Sequence, residues 1–297
     1  METPNIMIYS MTGYAAASRD LGSAVMNLEI KSVNSRYLDI GFRLSEDLRF
    51  LEMPLREKIV ERIGRGKIEC RGYLQAQPAQ GAAARKRAPD PALLSELSTL
   101  DSAVRSALPE AAPLSVAEVL RWPGVLNDDS LTTGQLQAAA QELFATLLDE
   151  FVATREREGA KLADVLRDRA ARMREQVRAA EPLLPAALAA YRERLSTKLR
   201  EAVANLDEER IRQEVGVFAA KIDVAEEIAR LVTHMDELER VLKKGGAVGK
   251  RLDFLMQELN REANTLSSKS VSGEVTAIAL ELKLLIEQAR EQVQNLE

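Results

Sequence analysis

Apolar and polar positions along the chain fall into two regimes. Up to about residue 77 the period is two: Met26, Leu28 and Ile30, then Leu38, Ile40, Phe42 and Leu44, alternate with polar or small residues. That is the pattern of half-buried strands. An earlier strand is predicted over 8–17, where Gly13 marks a bulge or a close backbone approach. The polar run Ser32-Val-Asn-Ser-Arg36 turns the chain between the next two strands. Residues 48–63 shift to helical spacing, with Leu48, Leu51, Leu55, Ile59 and Ile63 on one side. Gly64-Arg-Gly66 stops that helix, and 67–77 returns as a fourth strand through Ile68, Cys70 and Leu74. The expectation is a β-β-β-α-β module with an antiparallel sheet.

Beyond this module nearly every patterned segment is helical. Residues 78–91 lack an apolar period and are rich in Pro, Gly and Ala, which reads as a linker. Helices are expected at 92–107 and 115–121, the latter ended by Trp122-Pro-Gly124. A long helix runs from 133 to about 180, meets Pro182 and Pro185, and resumes to about 203. Three more helices follow near 208–243, 248–268 and 272–295, separated by Gly245-Gly246 and by 270–273. The fold class is therefore α+β and predominantly helical. We expect a sheet module at 7–77, a linker at 78–91, a helical body at 92–205 and a C-terminal helical domain at 206–297. No internal repeat has a solenoid period.

The C-terminal helices carry polar stripes that helix stability does not explain. At about 100° per residue, Asp223, Glu227, Arg230 and His234 share one arc. Asp253, Gln257, Asn260 and Asn264 repeat the same i, i+4, i+7, i+11 spacing on the next helix. Asp and Asn are poor helix formers because their short polar groups compete for backbone partners. The opposite flank of that second helix carries Glu258, Glu262, Thr265 and Lys269. Two carboxylates at i, i+4 repel when ionised, and a divalent cation would relieve the repulsion. Carboxylate and amide oxygens suit Mg²⁺ or Mn²⁺, and one imidazole among them admits Ni²⁺ or Zn²⁺. The alternative is two solvated glutamates on an exposed face. His234 is the only histidine, so imidazole chemistry of any kind passes through it. It stands at the border of the apolar stripe of Ile228, Leu231, Met235 and Leu238, a place that also suits a structural histidine.

Composition narrows the classes further. A single cysteine, Cys70, excludes an intrachain disulfide and a Cys-rich metal cluster. No run is long and apolar enough to span a bilayer and no signal peptide precedes Met7, so a cytoplasmic protein without membrane contact is expected. There is no His-Glu-x-x-His motif, P-loop or Gly-x-Ser-x-Gly elbow. The net charge of −5 is unevenly spread: residues 1–88 hold 14 Lys and Arg against 10 Asp and Glu, the remainder 27 against 36. Lys31, Arg36, Arg43, Arg62, Arg65, Lys67 and Arg71 lie in or beside the sheet. Arg65 and Lys67 flank Gly66, where cations and backbone N–H groups can meet a phosphate. Tyr14, Tyr37 and Tyr73 are the only rings there suited to base stacking.

Several motifs together resemble one family. They are Ser10-Met-Thr-Gly-Tyr14, Glu29-Ile-Lys-Ser-Val-Asn-Ser-Arg-Tyr-Leu38, Arg65-Gly-Lys67, Trp122-Pro-Gly124 and Arg157-Glu-Gly159. To these are added Asp223-Val-Ala-Glu-Glu-Ile-Ala-Arg-Leu231 with His234, and the segment from Arg251 through Glu258, Glu262 and Asn264 to Ser270. In this order they resemble the bacterial YicC/YloC family over nearly the whole chain from Met7. The resemblance implies a metal-dependent endoribonuclease acting on single-stranded or structured RNA, small regulatory RNAs included, and a homo-oligomer, a ring-like hexamer. Chemistry then assigns the roles. Glu227, His234, Glu258 and Glu262 are expected to hold the metal and move protons. Arg251, Arg261 and Lys269 would neutralise transition-state charge, and Asn260 and Asn264 would orient ligands or RNA. Arg36, Arg65 and Lys67 would guide the strand. The rival expectation is a non-catalytic RNA-binding adaptor that uses the carboxylate helices for assembly. Attack by the RNA's own 2′-OH, with His234 as base, stays open as a second chemical route.

Overall fold

A computed structural model of the chain describes residues 7–22, 24–76, 89–125, 132–202 and 207–297. Strands β1 (Gly13–Asp20), β2 (Ala24–Val33) and β3 (Leu38–Leu44) lead through a 3-10 turn, Glu46–Leu51, into helix α1 (Glu52–Arg62) and strand β4 (Gly66–Ala76). The sheet order is β1-β2-β4-β3. β1 pairs antiparallel with β2 and β2 with β4, but β3 and β4 run parallel. The wholly antiparallel sheet expected from the sequence is corrected at that edge. Helix α1 carries the chain back along the sheet between β3 and β4, so both strands point the same way. β4 also fills the slot between β2 and β3, which polar patterning alone would have paired.

One face of the sheet is apolar. Met26, Leu28 and Ile30 of β2 and Ile68 and Cys70 of β4 pack on Leu48, Leu51, Leu55 and Ile59. The same core takes Leu136, Leu143, Phe144, Leu147 and Phe151 from the first half of helix α4 (Thr133–Ala180). Helices α2 (Pro91–Ala107) and α3 (Val116–Arg121) precede α4 in the chain. Helices α5 (Leu183–Ala202), α6 (Glu208–Lys221), α7 (Ala225–Lys244), α8 (Gly249–Lys269) and α9 (Gly273–Val293) follow it. A second core joins the far half of α4, through Leu166, Ala170, Met173 and Val177, to the apolar stripes of α7, α8 and α9. With 48 residues, α4 is about 72 Å long and is the spine of both cores.

Where the cores meet, the segment 7–11 crosses α4 beside residues 294–297. Ser10 N–H donates to the Arg155 carbonyl, Met11 N–H to Asn295, and Glu297 N–H to Tyr9. Gly159 permits this crossing, because a Cβ there would collide with the Ile8 carbonyl. Arg155, 2% exposed, donates from Nε to the Ser10 carbonyl at 2.7 Å and pairs with the Glu297 carboxylate. Farther along, Arg174 of α4 reaches Asp236 (2.6 Å) and Glu239 (3.2 Å) of α7.

Two further expectations change. The single helix predicted over 208–243 is two helices, broken at 222–224. Asp223, expected on the helix face, instead accepts the Ala225 N–H at 2.9 Å, as a short polar residue at a helix start favours. Most of the predicted linker, through residue 88, lies outside the described residues; α2 begins at Pro91 with the Asp90 carboxylate capping Ala92 and Leu93. No helix among the described residues is long and apolar enough to cross a membrane.

Candidate metal centre

Helices α7 and α8 meet along a seam of charged side chains at the edge of the second core. Their inward faces carry Leu231, Met235 and Leu238 against Leu252, Leu255, Leu259 and Leu266, all buried. Beside this apolar strip α7 presents Glu227, Arg230, His234 and Glu237, and α8 presents Lys269, Glu262, Glu258 and Arg251. Lys269 Nζ donates to Glu227 at 2.8 Å, Arg230 Nη1 reaches Glu262 at 3.3 Å, and Arg251 Nη2 reaches Glu237 at 3.2 Å. As residue numbers rise on α7 their partners fall on α8, so the helices are antiparallel. The tight Gly245-Gly246 turn, with φ of 68° and 87°, allows the reversal.

His234, Glu258 and Glu262 come together at the middle of the seam. Each offers one ligand atom, and these atoms lie within 4.8 Å of one another. Ligands about 2.1 Å from a shared cation stand roughly 3 Å apart when adjacent and about 4.2 Å when opposite. The cluster therefore needs side-chain movements of only about 1–2 Å to close on an ion. Two carboxylates and an imidazole fit Mn²⁺ or Mg²⁺ with water completing the shell, and they also accommodate Ni²⁺ or Zn²⁺. Glu262 is buried, while His234 and Glu258 are half-buried. The centre is thus floored by the core and open on one side.

Glu227 belongs to the same seam but stands outside this group. Its Oε1 accepts from Lys269, whose Nζ also donates to the Asp223 carbonyl at 3.0 Å. Its Oε2 is buried with no hydrogen-bond partner among the described residues. Of the four side chains expected to hold the metal, three are gathered; the fourth is engaged by a lysine at the neighbouring step of the ladder.

The basic residues expected to contact RNA are placed unevenly. Arg261 stands 3.9 Å from Glu258, next to the centre. Arg251 lies over the exposed Phe254 ring, 5.6 Å from its centroid, as well as against Glu237. Arg240 and then Arg251 hold the Glu237 carboxyl down to about 2. Arg36 is exposed above the Tyr37 ring, and Lys67 is exposed at the start of β4. Arg65 turns inward onto the Leu296 carbonyl, a structural contact rather than a strand-guiding one. The open sheet face gathers Lys31, Arg43 and Arg71 around Glu69, at 3.0, 2.9 and 2.9 Å. Lys31 foremost, with Arg71, lowers the Glu69 carboxyl to about 2. The amide stripe bonds within itself: Gln257 donates to Asp253 and Asn264 to Asn260, each at 2.7 Å.

Sequence reasoning missed the pairing of Arg230 with Glu262 and the part Glu237 plays. A signal for both was available. Positions 227, 230, 234 and 237 repeat at the three-and-four spacing of a helix–helix seam, and 251, 258, 262 and 269 complement them in reverse.

Two family models and two named relatives match the chain. Residues 8–164 match the model described as "Endoribonuclease YicC-like, N-terminal region", and residues 180–297 match "Endoribonuclease YicC-like, C-terminal". The chain is 43% identical over 296 residues to a "probable endoribonuclease YicC" of Haemophilus influenzae, covering 98% of this chain and 100% of that protein. A protein of the same name from Clostridioides difficile is 28% identical over 300 residues, with 98% and 100% covered. With both family models matched and a 43% identical relative covered end to end, the chain belongs to the YicC-like endoribonuclease family.

Proposed function

We propose that this chain is a metal-dependent endoribonuclease that hydrolyses internal phosphodiester bonds of RNA, in the turnover of small or messenger RNA in the cytoplasm. The observation that carries this reading is the convergence of His234, Glu258 and Glu262 within 4.8 Å on two antiparallel helices of a YicC-like chain. The names of both relatives supply the reaction class. His234, Glu258 and Glu262 would hold Mn²⁺ or Mg²⁺; such an ion, when bound, polarises a phosphoryl oxygen and lowers the pKa of a water. Glu258 and Glu262 contribute hard oxygen donors. His234 contributes the imidazole of the cluster, the group suited to proton transfer. Glu227 and Lys269 brace the adjoining step of the seam and keep the two helices in register. Arg261, 3.9 Å from Glu258, stands beside the centre and is suited to charge developing on the phosphate. Arg36 and Lys67, exposed on the sheet module, would attract the strand.

The working unit in this reading is a homo-oligomer, a hexamer. Its support is apolar surface a second copy would cover: Val104, Leu108, Val116 and Trp122 of the α2–α3 region are each about half exposed or more.

Labelled RNA incubated with wild-type and Glu258→Ala proteins, with and without chelator, tests the proposal. Cleavage by the wild type alone, abolished by chelator, is expected. Equal cleavage by both proteins would remove the centre from the mechanism. Tight binding without cleavage by either would favour the adaptor reading, and cyclic phosphate ends would favour attack by the 2′-OH.

A further inference from the structure

Arg230 bridges two carboxylates of unequal standing. Nη1 reaches Oε1 of Glu262, whose side chain is 4% exposed, whereas Nη2 reaches Oε1 of Glu226, 72% exposed. The arginine itself is half exposed, at 49%. A carboxylate as buried as Glu262 is costly to ionise without an opposite charge beside it. Glu262 is also one of the three residues whose ligand atoms cluster within 4.8 Å. Its oxygens therefore have two claimants, a guanidinium already in contact and a divalent cation. Formal charge sharpens the competition. Glu226, Glu258 and Glu262 face two guanidiniums, Arg230 and Arg261, so the carboxylates outnumber the cations by one. Adding a dication turns that set from net negative to net positive.

We propose that Arg230 is a placeholder. It neutralises Glu262 while the centre is empty, yields that carboxylate to the incoming cation, and then presents its guanidinium to an RNA phosphate. The inference rests on the metal-centre and RNA-substrate readings above. Glu226 makes the transfer practicable: it sits one turn back on α7, so the released arginine stays tethered beside the centre. An exposed ion pair of that kind is weak, and a phosphate competes with it readily through two parallel N–H···O bonds. Cation and RNA should then each strengthen the other's binding, a coupling that is reciprocal by thermodynamic necessity.

The rival role for Arg230 is to stay on Glu262 and orient it as a ligand. The two roles differ in sign. Loss of an orienting partner weakens metal affinity about 10–100-fold. Loss of a competing charge strengthens it, by at least about tenfold, the repulsion between a unit charge and a dication about 6 Å apart in a water-like dielectric. The test is Mn²⁺ titration of the full chain without RNA, followed by electron paramagnetic resonance, for the wild type, Arg230→Gln and Arg230→Lys. Tighter Mn²⁺ binding by Arg230→Gln, with Arg230→Lys close to wild type, is expected. In parallel, affinity for a 2′-O-methyl phosphorothioate oligonucleotide, which keeps the phosphate charge and resists cleavage, should rise on adding Mn²⁺ to the wild type. That gain should be lost in Arg230→Gln. Equal or weaker Mn²⁺ binding by Arg230→Gln would overturn the placeholder and leave the metal centre standing. A folded wild type that binds no Mn²⁺ would overturn the metal centre, and this inference with it.

Discussion

Replacing Glu262 with glutamine separates the carboxylate's structural role from its role as a ligand, because the two predict opposite readouts. The side chain keeps its volume and loses its charge. In the ion-free protein its partner is Arg230 at 3.3 Å, and that arginine is half exposed. Solvent screens such a pair to about 1 kcal/mol or less, and the variant no longer buries a charge, so stability without metal should change by no more than about 1 kcal/mol in either direction. Metal binding should suffer far more. Groups that merely orient a ligand change affinity about 10–100-fold, so loss of the anionic ligand itself should cost at least about 100-fold. At a Mn²⁺ concentration 100 times the wild-type Kd, binding stabilises the wild type by about 2.7 kcal/mol; for a variant bound 100-fold more weakly the gain is about 0.4 kcal/mol. At about 2 °C per kcal/mol for a chain of this size, the Mn²⁺-induced shift in Tm should fall from about 5 °C to about 1 °C. Thermal melts in chelator and in Mn²⁺ measure both quantities on one sample. An undiminished Mn²⁺ shift in Glu262→Gln would refute the ligand assignment. The same experiment on Glu227→Gln should leave the Mn²⁺ shift intact, because Glu227 is bonded to Lys269 and lies outside the cluster.

Arg155→Met should destabilise the fold by about 3–5 kcal/mol in urea titrations, since it strands the Ser10 carbonyl and a Glu297 carboxylate where the two cores meet; a loss under about 1 kcal/mol would mean the junction is held by other contacts. Glu69, with its carboxyl lowered to about 2 from 4.5, stabilises the fold fully above pH 4.5 and loses that contribution as pH falls toward 2. Between pH 5 and pH 3 the urea midpoint of the wild type should accordingly fall more than that of Glu69→Gln, and parallel profiles would contradict the basic cage around it. RNA binding should weaken steeply with salt, with a log–log slope of about −0.7 per phosphate contacted; a salt-insensitive affinity would rule out guidance by Arg36, Lys67 and the arginines of the seam.

Much of the architecture was legible because its signals are local. Helix limits at Pro91, at 132–133, at Pro182 and at Gly245 follow from capping and breaking residues read one at a time. The joint placement of Glu258 and Glu262 follows from a four-residue spacing, and the position of His234 from the arc it shares with Arg230. What escaped was set between segments. Whether β3 pairs antiparallel with β2 or parallel with β4 depends on where α1 delivers the chain, and alternation is identical in the two cases. The break at 222–224 escaped because Ile222 and Val224 continue the apolar spacing, while Asp223 acts through a backbone contact. Arg65 looked like a phosphate ligand from its place beside Gly66, but the carbonyl that claims it lies 231 positions away. Glu227 was indistinguishable from Glu262 in sequence; only the partner across the seam, lysine for one and arginine with histidine for the other, separates them.

The two homology modules end at residue 164 and begin again at residue 180, both within one unbroken helix. A truncation at the first limit would deprive the C-terminal helices of Leu166, Ala170, Met173 and Val177, and leave their apolar stripes facing water. A truncation before the second would leave that stretch of rod without the helices that cover it. Sequence kinship thus divides the molecule inside a helix that both cores share. The sheet module and the helices bearing His234, Glu258 and Glu262 are expected to melt in a single transition, so damage to strand packing far from the ligands will register as lost nuclease function.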